Sequence, residues 1–282
     1  MAWSFLNNNF ISQDQVSISP FDRGFLFGDS VYEVIPVYNK KPFLLYEHLN
    51  RLENSLQSIS IISPFSQEKM TSIINELIQR NSWDNQYVYI QISRGNENKR
   101  QRIPDLEITP TIFLFSSKLA INPYRDESNI PGLKLICYED PRWLRCDIKS
   151  TSLLPNIYAL LDQNNDKSDE VLMHKSKIVT EASAGSIFFV SKDTVSAPIL
   201  DSKVLHGITR NHIKKILDKM AINFIERDIH IDELPSAREI WYVSSTKEIQ
   251  PVSQIDNFQV NYNESSQIWR EVLNEYIKTI NS

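Results

Sequence analysis

The sequence predicts an α+β protein of two domains. Three observations carry that prediction. The chain has 282 residues, enough for two cores. Its apolar residues recur at strand spacing in some segments and at helix spacing in others, without a regular strand–helix alternation. A polar stretch rich in Asn, Pro, Asp, Ser and Gly, KLAINPYRDESNIPG, interrupts the pattern near its middle. We therefore expect an N-terminal α+β domain over 1–118, a linker over 119–132 and a C-terminal domain over 133–282.

The elements follow in order. VYEVIPVY (31–38) and PFLL (42–45) flank the polar turn Asn39–Lys41 and read as a hairpin. In EHLNRLENSLQSIS, residues Leu49, Leu52, Leu56 and Ile59 fall on one helical face. Ser66 is a good N-cap for a second helix, whose Met70, Ile73, Ile74, Leu77 and Ile78 form a wide apolar stripe. QYVYIQISRG and TIFLFSS read as strands. Beyond the linker come the strand LKLICYE, a helix near 153–165 and a hairpin around Lys175–Lys177. The strand SIFFV, a helix opening near Gly207–Arg210, the strand EIWYVSS and a helix near 266–280 complete the chain.

Bulk properties exclude several classes. The net charge of -5 is spread along the chain, with no long basic run to suggest nucleic acid and no acidic tail. The opening MAWSFLNNNF lacks a basic region followed by an apolar core, so no signal peptide is expected. No apolar run approaches the length of a membrane span. Two cysteines, Cys137 and Cys146, read as buried thiols in a reducing, cytoplasmic compartment. The five histidines show no metal-ligand spacing, and no metal is expected.

Four features carry chemistry. Lys149, in RCDIKSTSLLPN, stands between two apolar runs, where an ammonium is out of place unless it reaches water or has a task. Glu181, closing VTE, precedes the apolar strand SIFFV, and an unpaired buried carboxylate is costly. GITR (207–210) opens a helix, whose N-terminal N–H groups suit an anion such as phosphate. The Ser/Thr-rich turn SSTKEI (244–249) could add donors to the same anion. Arg51 lies at the edge of a helical apolar face and can act as a fork donor to phosphate. A lysine, an acid for a ring nitrogen, a phosphate cup and an arginine together describe a pyridoxal-phosphate (PLP) site.

The same residues carry a family resemblance. DRGFLFGDSVYEV (22–34), NKKPFLLYEHLNRL, RWLRCDIKS, VTEAS, GITR and SSTKEIQPV stand in the order found in the fold-type IV PLP enzymes, the class IV aminotransferases. The chain most resembles the D-amino acid aminotransferases among them. Branched-chain aminotransferases and aminodeoxychorismate lyases are similar near the first motifs, but a tyrosine is usual after the lysine where Leu153 and Leu154 stand here. The resemblance implies that Lys149 forms the Schiff base with PLP and shuttles the proton, while Glu181 pairs with the pyridine nitrogen. It implies that Arg51, the N–H groups of Ile208 and Thr209, and the hydroxyl of Thr246 hold the phosphate. Leu205 would pack on the ring, Tyr32 would line the substrate side near Lys149, and Arg142 would join the polar network. It further implies transamination of D-alanine with 2-oxoglutarate, amino-acid and 2-oxo-acid substrates, and a homodimer.

One region departs from the resemblance. Relatives usually carry Arg-x-His after the strand ending SRG; here the loop is RGNENKRQRIP, with Lys99 in the Arg place, then Arg100, and Gln101 in the His place. A lysine is a point charge and cannot grip a carboxylate with two parallel bonds. Pro36 stands where many relatives have a lysine, and the usual Ser-Ser-Ser-Asn run is Ser183–Ser186 with Ala184 and Gly185 between. The alternative is thus another fold-type IV activity: aminodeoxychorismate lyase, or a transaminase of branched-chain L-amino acids or (R)-amines. Retention of both Lys149 and Glu181 argues against a binding protein that kept only the fold.

Overall fold

The computed structural model describes residues 2–105, 107–126, 130–162, 168–260 and 268–281. Parts of three expected features lie outside them: the linker at 127–129, the helix end at 163–165 and the helix start at 266–267. The chain divides into two compact units. The first holds 1–120 and 148–153, and the second holds 121–147 and 154–282. Lys149, assigned from sequence to the C-terminal domain, therefore lies on a short segment that packs with the N-terminal unit.

In the first unit the elements are β1 (Trp3–Leu6), β2 (Asn9–Ser12), α1 (Arg23–Phe27), β3 (Ser30–Tyr38) and β4 (Lys41–Pro42). They continue with α2 (Leu45–Ser58), α3 (Gln67–Arg80), β5 (Gln86–Ser93) and β6 (Thr111–Lys118). The strands form an antiparallel sheet in the order β2-β1-β6-β5-β3-β4. Alternation sends Val31, Ile35, Val88, Ile90, Ile92 and Leu114 to the face covered by α2 and α3. The apolar stripes of those helices, Leu49, Leu52 and Leu56 on α2 and Met70 to Ile78 on α3, join the same core. Ser66 caps α3 by accepting from the Lys69 N–H at 3.3 Å.

The expected strand over 42–45 is shortened to Lys41–Pro42. Leu44 adopts the left-handed conformation (φ 54°), which turns the chain directly into α2. The start of β3 is not covered by β4, which pairs only with Val37 and Tyr38. The lysine segment pairs there: Tyr32 N–H donates to Lys149 O at 2.9 Å, and Thr151 N–H to Ser30 O at 3.0 Å.

The second unit contains β7 (Leu133–Glu139), α4 (Leu154–Asp162), β8 (Glu170–Lys175), β9 (Ile178–Ala182), β10 (Ser186–Ser191) and β11 (Thr194–Ala197). Then come α5 (Ile208–Lys219), β12 (Asn223–Glu226), β13 (Glu239–Ser244), β14 (Glu248–Ile255), β15 (Phe258–Gln259) and α6 (Ile268–Asn281). Its sheet is mixed: β12-β11-β10-β13-β14-β7-β8-β9, with β15 beside β14. The β11–β12, β14–β7 and β7–β8 pairs are parallel. The β8–β9 hairpin turns on Ser176 and Lys177, both at positive φ. Its core includes Ile187, Phe189, Ile240, Val252 and Ile255, while Phe188 stacks on the fully buried Trp241 at 5.7 Å.

Candidate active site

Lys149 is placed by the strand that carries Tyr32. Its backbone N–H donates to Ser55 Oγ at 3.3 Å, and Ser150 bridges to Val31. Its Nζ lies 4.2 Å from the centroid of the Tyr32 ring, a cation–π distance. Among the described residues the ammonium forms no ion pair. Tyr32 stacks on Tyr89 at 5.7 Å, and Tyr89 on Phe115 at 5.1 Å. Burial and the neighbouring Tyr32 push the Tyr89 hydroxyl up to about 12.

Arg51 comes from α2, and its partner is Glu33 on β3. Nε reaches Glu33 Oε1 at 2.6 Å and Nη2 reaches Oε2 at 2.9 Å, while His48 Nδ1 lies 2.7 Å from the same Oε2. Glu33 is completely buried. Burial alone would raise its carboxyl, but Arg51 and His48 outweigh burial and hold it well below the usual carboxylate range. Burial pushes the His48 ring down, against the opposing pull of Glu33.

The loop after β5 carries Lys99, Arg100 and Gln101. Lys99 and Arg100 are exposed. The Arg100 guanidinium lies 5.3 Å from the Phe27 ring centroid. The buried Arg23 fixes the loop's backbone, donating to Gln101 O at 2.7 Å and Arg102 O at 3.0 Å, and pairs with Glu97 at 2.9 Å.

A separate group belongs to the second unit. Glu181, on β9, is buried, accepts from Arg142 Nη1, and accepts from the Leu205 N–H at 3.1 Å. Burial pushes its carboxyl up, against the pull of Arg142. Asp140 takes two further donors of Arg142, Nε at 2.9 Å and Nη2 at 2.7 Å, and one from Thr180 Oγ1 at 2.8 Å. Ile208 and Thr209 open α5, whose N-cap is Gly207 with no side-chain cap. The first-turn N–H groups of such a helix have no intrahelical acceptor. Thr209 Oγ1 lies 3.4 Å from Ser245 Oγ, in the same turn as Thr246. The structure thus brings GITR and SSTKEI together, as an anion cup requires.

Comparison with known proteins decides the family. A profile described as "Amino-transferase class IV" matches residues 30–255. The chain belongs to the class IV aminotransferases. It is 34% identical over 255 residues to the D-alanine aminotransferase of Listeria monocytogenes serotype 4b (strain F2365), covering 90% of this chain and 88% of the relative. It is 32% identical over 285 residues to that of Staphylococcus haemolyticus, covering 100% of both chains. Among solved structures, the branched-chain aminotransferase of Thermoproteus uzoniensis with norvaline superposes with a TM-score of 0.88 at 21% identity. That match covers 99% of this chain and 95% of the other. The branched-chain amino acid aminotransferase of Escherichia coli also gives 0.88, at 17% identity, covering 98% and 93%. At such identities these two speak for the fold, which is that of the fold-type IV aminotransferases.

This class IV aminotransferase is PLP-dependent, and the residues present fit the cofactor. Taken by itself, the first unit holds an amine on an aromatic ring; the second, by itself, holds a buried carboxyl of raised proton affinity and an uncapped helix N-terminus beside serine and threonine hydroxyls. The sequence reading missed the supporting groups: Glu33 and His48 behind Arg51, and Asp140 and Thr180 behind Arg142. Glu33 did leave a signal, as an acid inside the apolar strand VYEVIPVY. Among the described residues there is no cluster of three or more metal-ligating side chains, and no helix is long and apolar enough to cross a membrane.

Proposed function

We propose that this aminotransferase acts on D-amino acids, with D-alanine as donor and 2-oxoglutarate as acceptor. The observation that carries the proposal is the 32–34% identity to D-alanine aminotransferases over nearly the whole chain. The RWLRCDIKS motif followed by Leu153 and Leu154 supports it.

When bound, PLP draws electrons from the amino acid's Cα and makes its proton removable. Lys149 would hold the cofactor and, once released from it, would take that proton on Nζ and pass it to the cofactor carbon on the far side of the amino nitrogen. Among the described residues no carboxylate pairs with Nζ. Glu181 keeps a proton on the ring nitrogen, and Arg142 and the Leu205 N–H hold its carboxyl in place. Arg51, the N–H groups of Ile208 and Thr209, and the Thr246 hydroxyl bind the phosphate. Leu205 packs on the ring, and Tyr32 lines the substrate side. Lys99, Arg100 and Gln101 bear on the substrate carboxylate, and the working form is a homodimer. The free thiols Cys137 and Cys146 accord with residence in a reducing cytoplasm.

One observation favours a second reading. The loop offers Lys99 and Gln101 in place of Arg-x-His, which leaves branched-chain L-amino acids, (R)-amines or lyase chemistry as the rival. A steady-state assay separates them. D-alanine should yield pyruvate only when 2-oxoglutarate is present, and Lys149→Ala should abolish the reaction while leaving the circular dichroism spectrum unchanged. Pyruvate formed without a keto-acid acceptor, or an unaffected Lys149→Ala, would contradict the proposal.

A further inference from the structure

Three ionisable side chains lie together under the sheet of the first unit: Glu33, His48 and Arg51. Glu33 and His48 are almost wholly inaccessible, and Arg51 is nearly so. A buried ion pair is a poor stabiliser, because desolvation offsets most of the attraction, and an apolar residue of similar volume often serves as well. The neighbours of Glu33 on the same strand face, Val31 and Ile35, are fully buried and apolar. A carboxylate at that position calls for an explanation beyond packing.

The geometry supplies one. Glu33 meets Arg51 side-on, through Nε at 2.6 Å and Nη2 at 2.9 Å. Two parallel bonds fix the plane and direction of a guanidinium, which a single contact does not. His48 Nδ1, 2.7 Å from Oε2, fixes the carboxylate in turn. The next residue on the strand, Tyr32, points to the opposite face and binds the Lys149 carbonyl through its own N–H. One rigid strand therefore sets the place of both the lysine segment and the arginine.

We propose that Glu33, steadied by His48, is a positioning residue that orients Arg51 toward the cofactor phosphate. The proposal rests on the reading of Arg51 as a phosphate ligand. It separates orientation from charge. Glu33 neutralises Arg51, so a purely electrostatic view says that Glu33→Gln should strengthen the hold on a dianion. Orientation says that it should weaken it.

The test uses the full-length apoprotein and two probes, PLP and pyridoxal, which lacks the phosphate. Dissociation constants from tryptophan fluorescence would be compared for wild type, Glu33→Gln, Arg51→Gln and the double variant. Glu33→Gln should weaken PLP binding about tenfold, the value of one charge-assisted bond, and leave pyridoxal binding unchanged. In the Arg51→Gln background it should have no further effect. Unchanged or tighter PLP binding in Glu33→Gln, with Arg51→Gln clearly weakened, would overturn the proposal. So would an equal loss for both probes, which is the mark of general structural damage. Unaffected PLP binding in Arg51→Gln would instead remove the phosphate reading beneath it. Should Glu33→Gln fail to fold, His48→Gln carries the comparison: a PLP-selective loss supports the proposal, and none overturns it.

Discussion

Lys149 owes its setting to a strand rather than to a pocket of charges. Its carbonyl takes the Tyr32 N–H, and its Nζ rests on the Tyr32 ring. On the far side of the same strand, Glu33 ties stability to pH. Its carboxyl sits far below its unfolded value of 4.5, because Arg51 and His48 overcome the cost of burial. A depressed acid contributes stability above its unfolded value and loses it as the pH falls toward the folded one. Glu33→Gln should therefore lower the stability of the apoprotein at pH 7, by about 3–5 kcal/mol for a broken buried pair. The gap to wild type should narrow steadily below pH 4.5 in urea titrations. A gap independent of pH would contradict this account. At this scale the sequence made Lys149, Glu181 and Arg51 visible, because each is an ionisable group against an apolar pattern. Asp140 and Thr180 were not visible, since their role comes from contacts with Arg142 that no spacing encodes.

Among the elements, α5 matters most for the proposed phosphate cup. It starts at Gly207, where a Cβ would meet Ser186 Oγ at 2.8 Å and Arg210 Cβ at 3.2 Å. The backbone angle there, φ -63°, suits any residue, so the requirement is space and not conformation. Gly207→Val should cost about 1–3 kcal/mol through overpacking and displace the first turn. Thermal melts and PLP titration of the apoprotein should show a lowered Tm together with weaker binding; a normal Tm and normal binding would contradict the crowding argument. The helices α2 and α3 were legible because their apolar stripes are long and periodic. Strands β1 and β2 were not, because four-residue strands joined at Asn7 and Asn8 carry too little pattern. Strand β4 was overread, since nothing in PFLL announces the left-handed Leu44.

For the whole molecule, the chain divides after Ala120, and 148–153 returns to the first unit, a return that the sequence pattern did not announce. That return depends on open backbone groups of β3, a long-range pairing that local pattern does not reveal. The proposed homodimer should sediment at twice the chain mass of 32.8 kDa, and a species at the single-chain mass would oppose it. The substrate question turns on the loop at Lys99–Gln101, anchored by Arg23 and Glu97 yet lacking the Arg-x-His pattern. The most direct measurement is a half-reaction on the PLP-loaded enzyme. D-alanine, L-alanine, D-glutamate, L-glutamate and L-leucine are added separately while the absorbance band of the bound cofactor is followed. The band should be lost with the D-amino acids and persist with the L-forms. Loss with L-leucine and persistence with D-alanine would contradict the central claim.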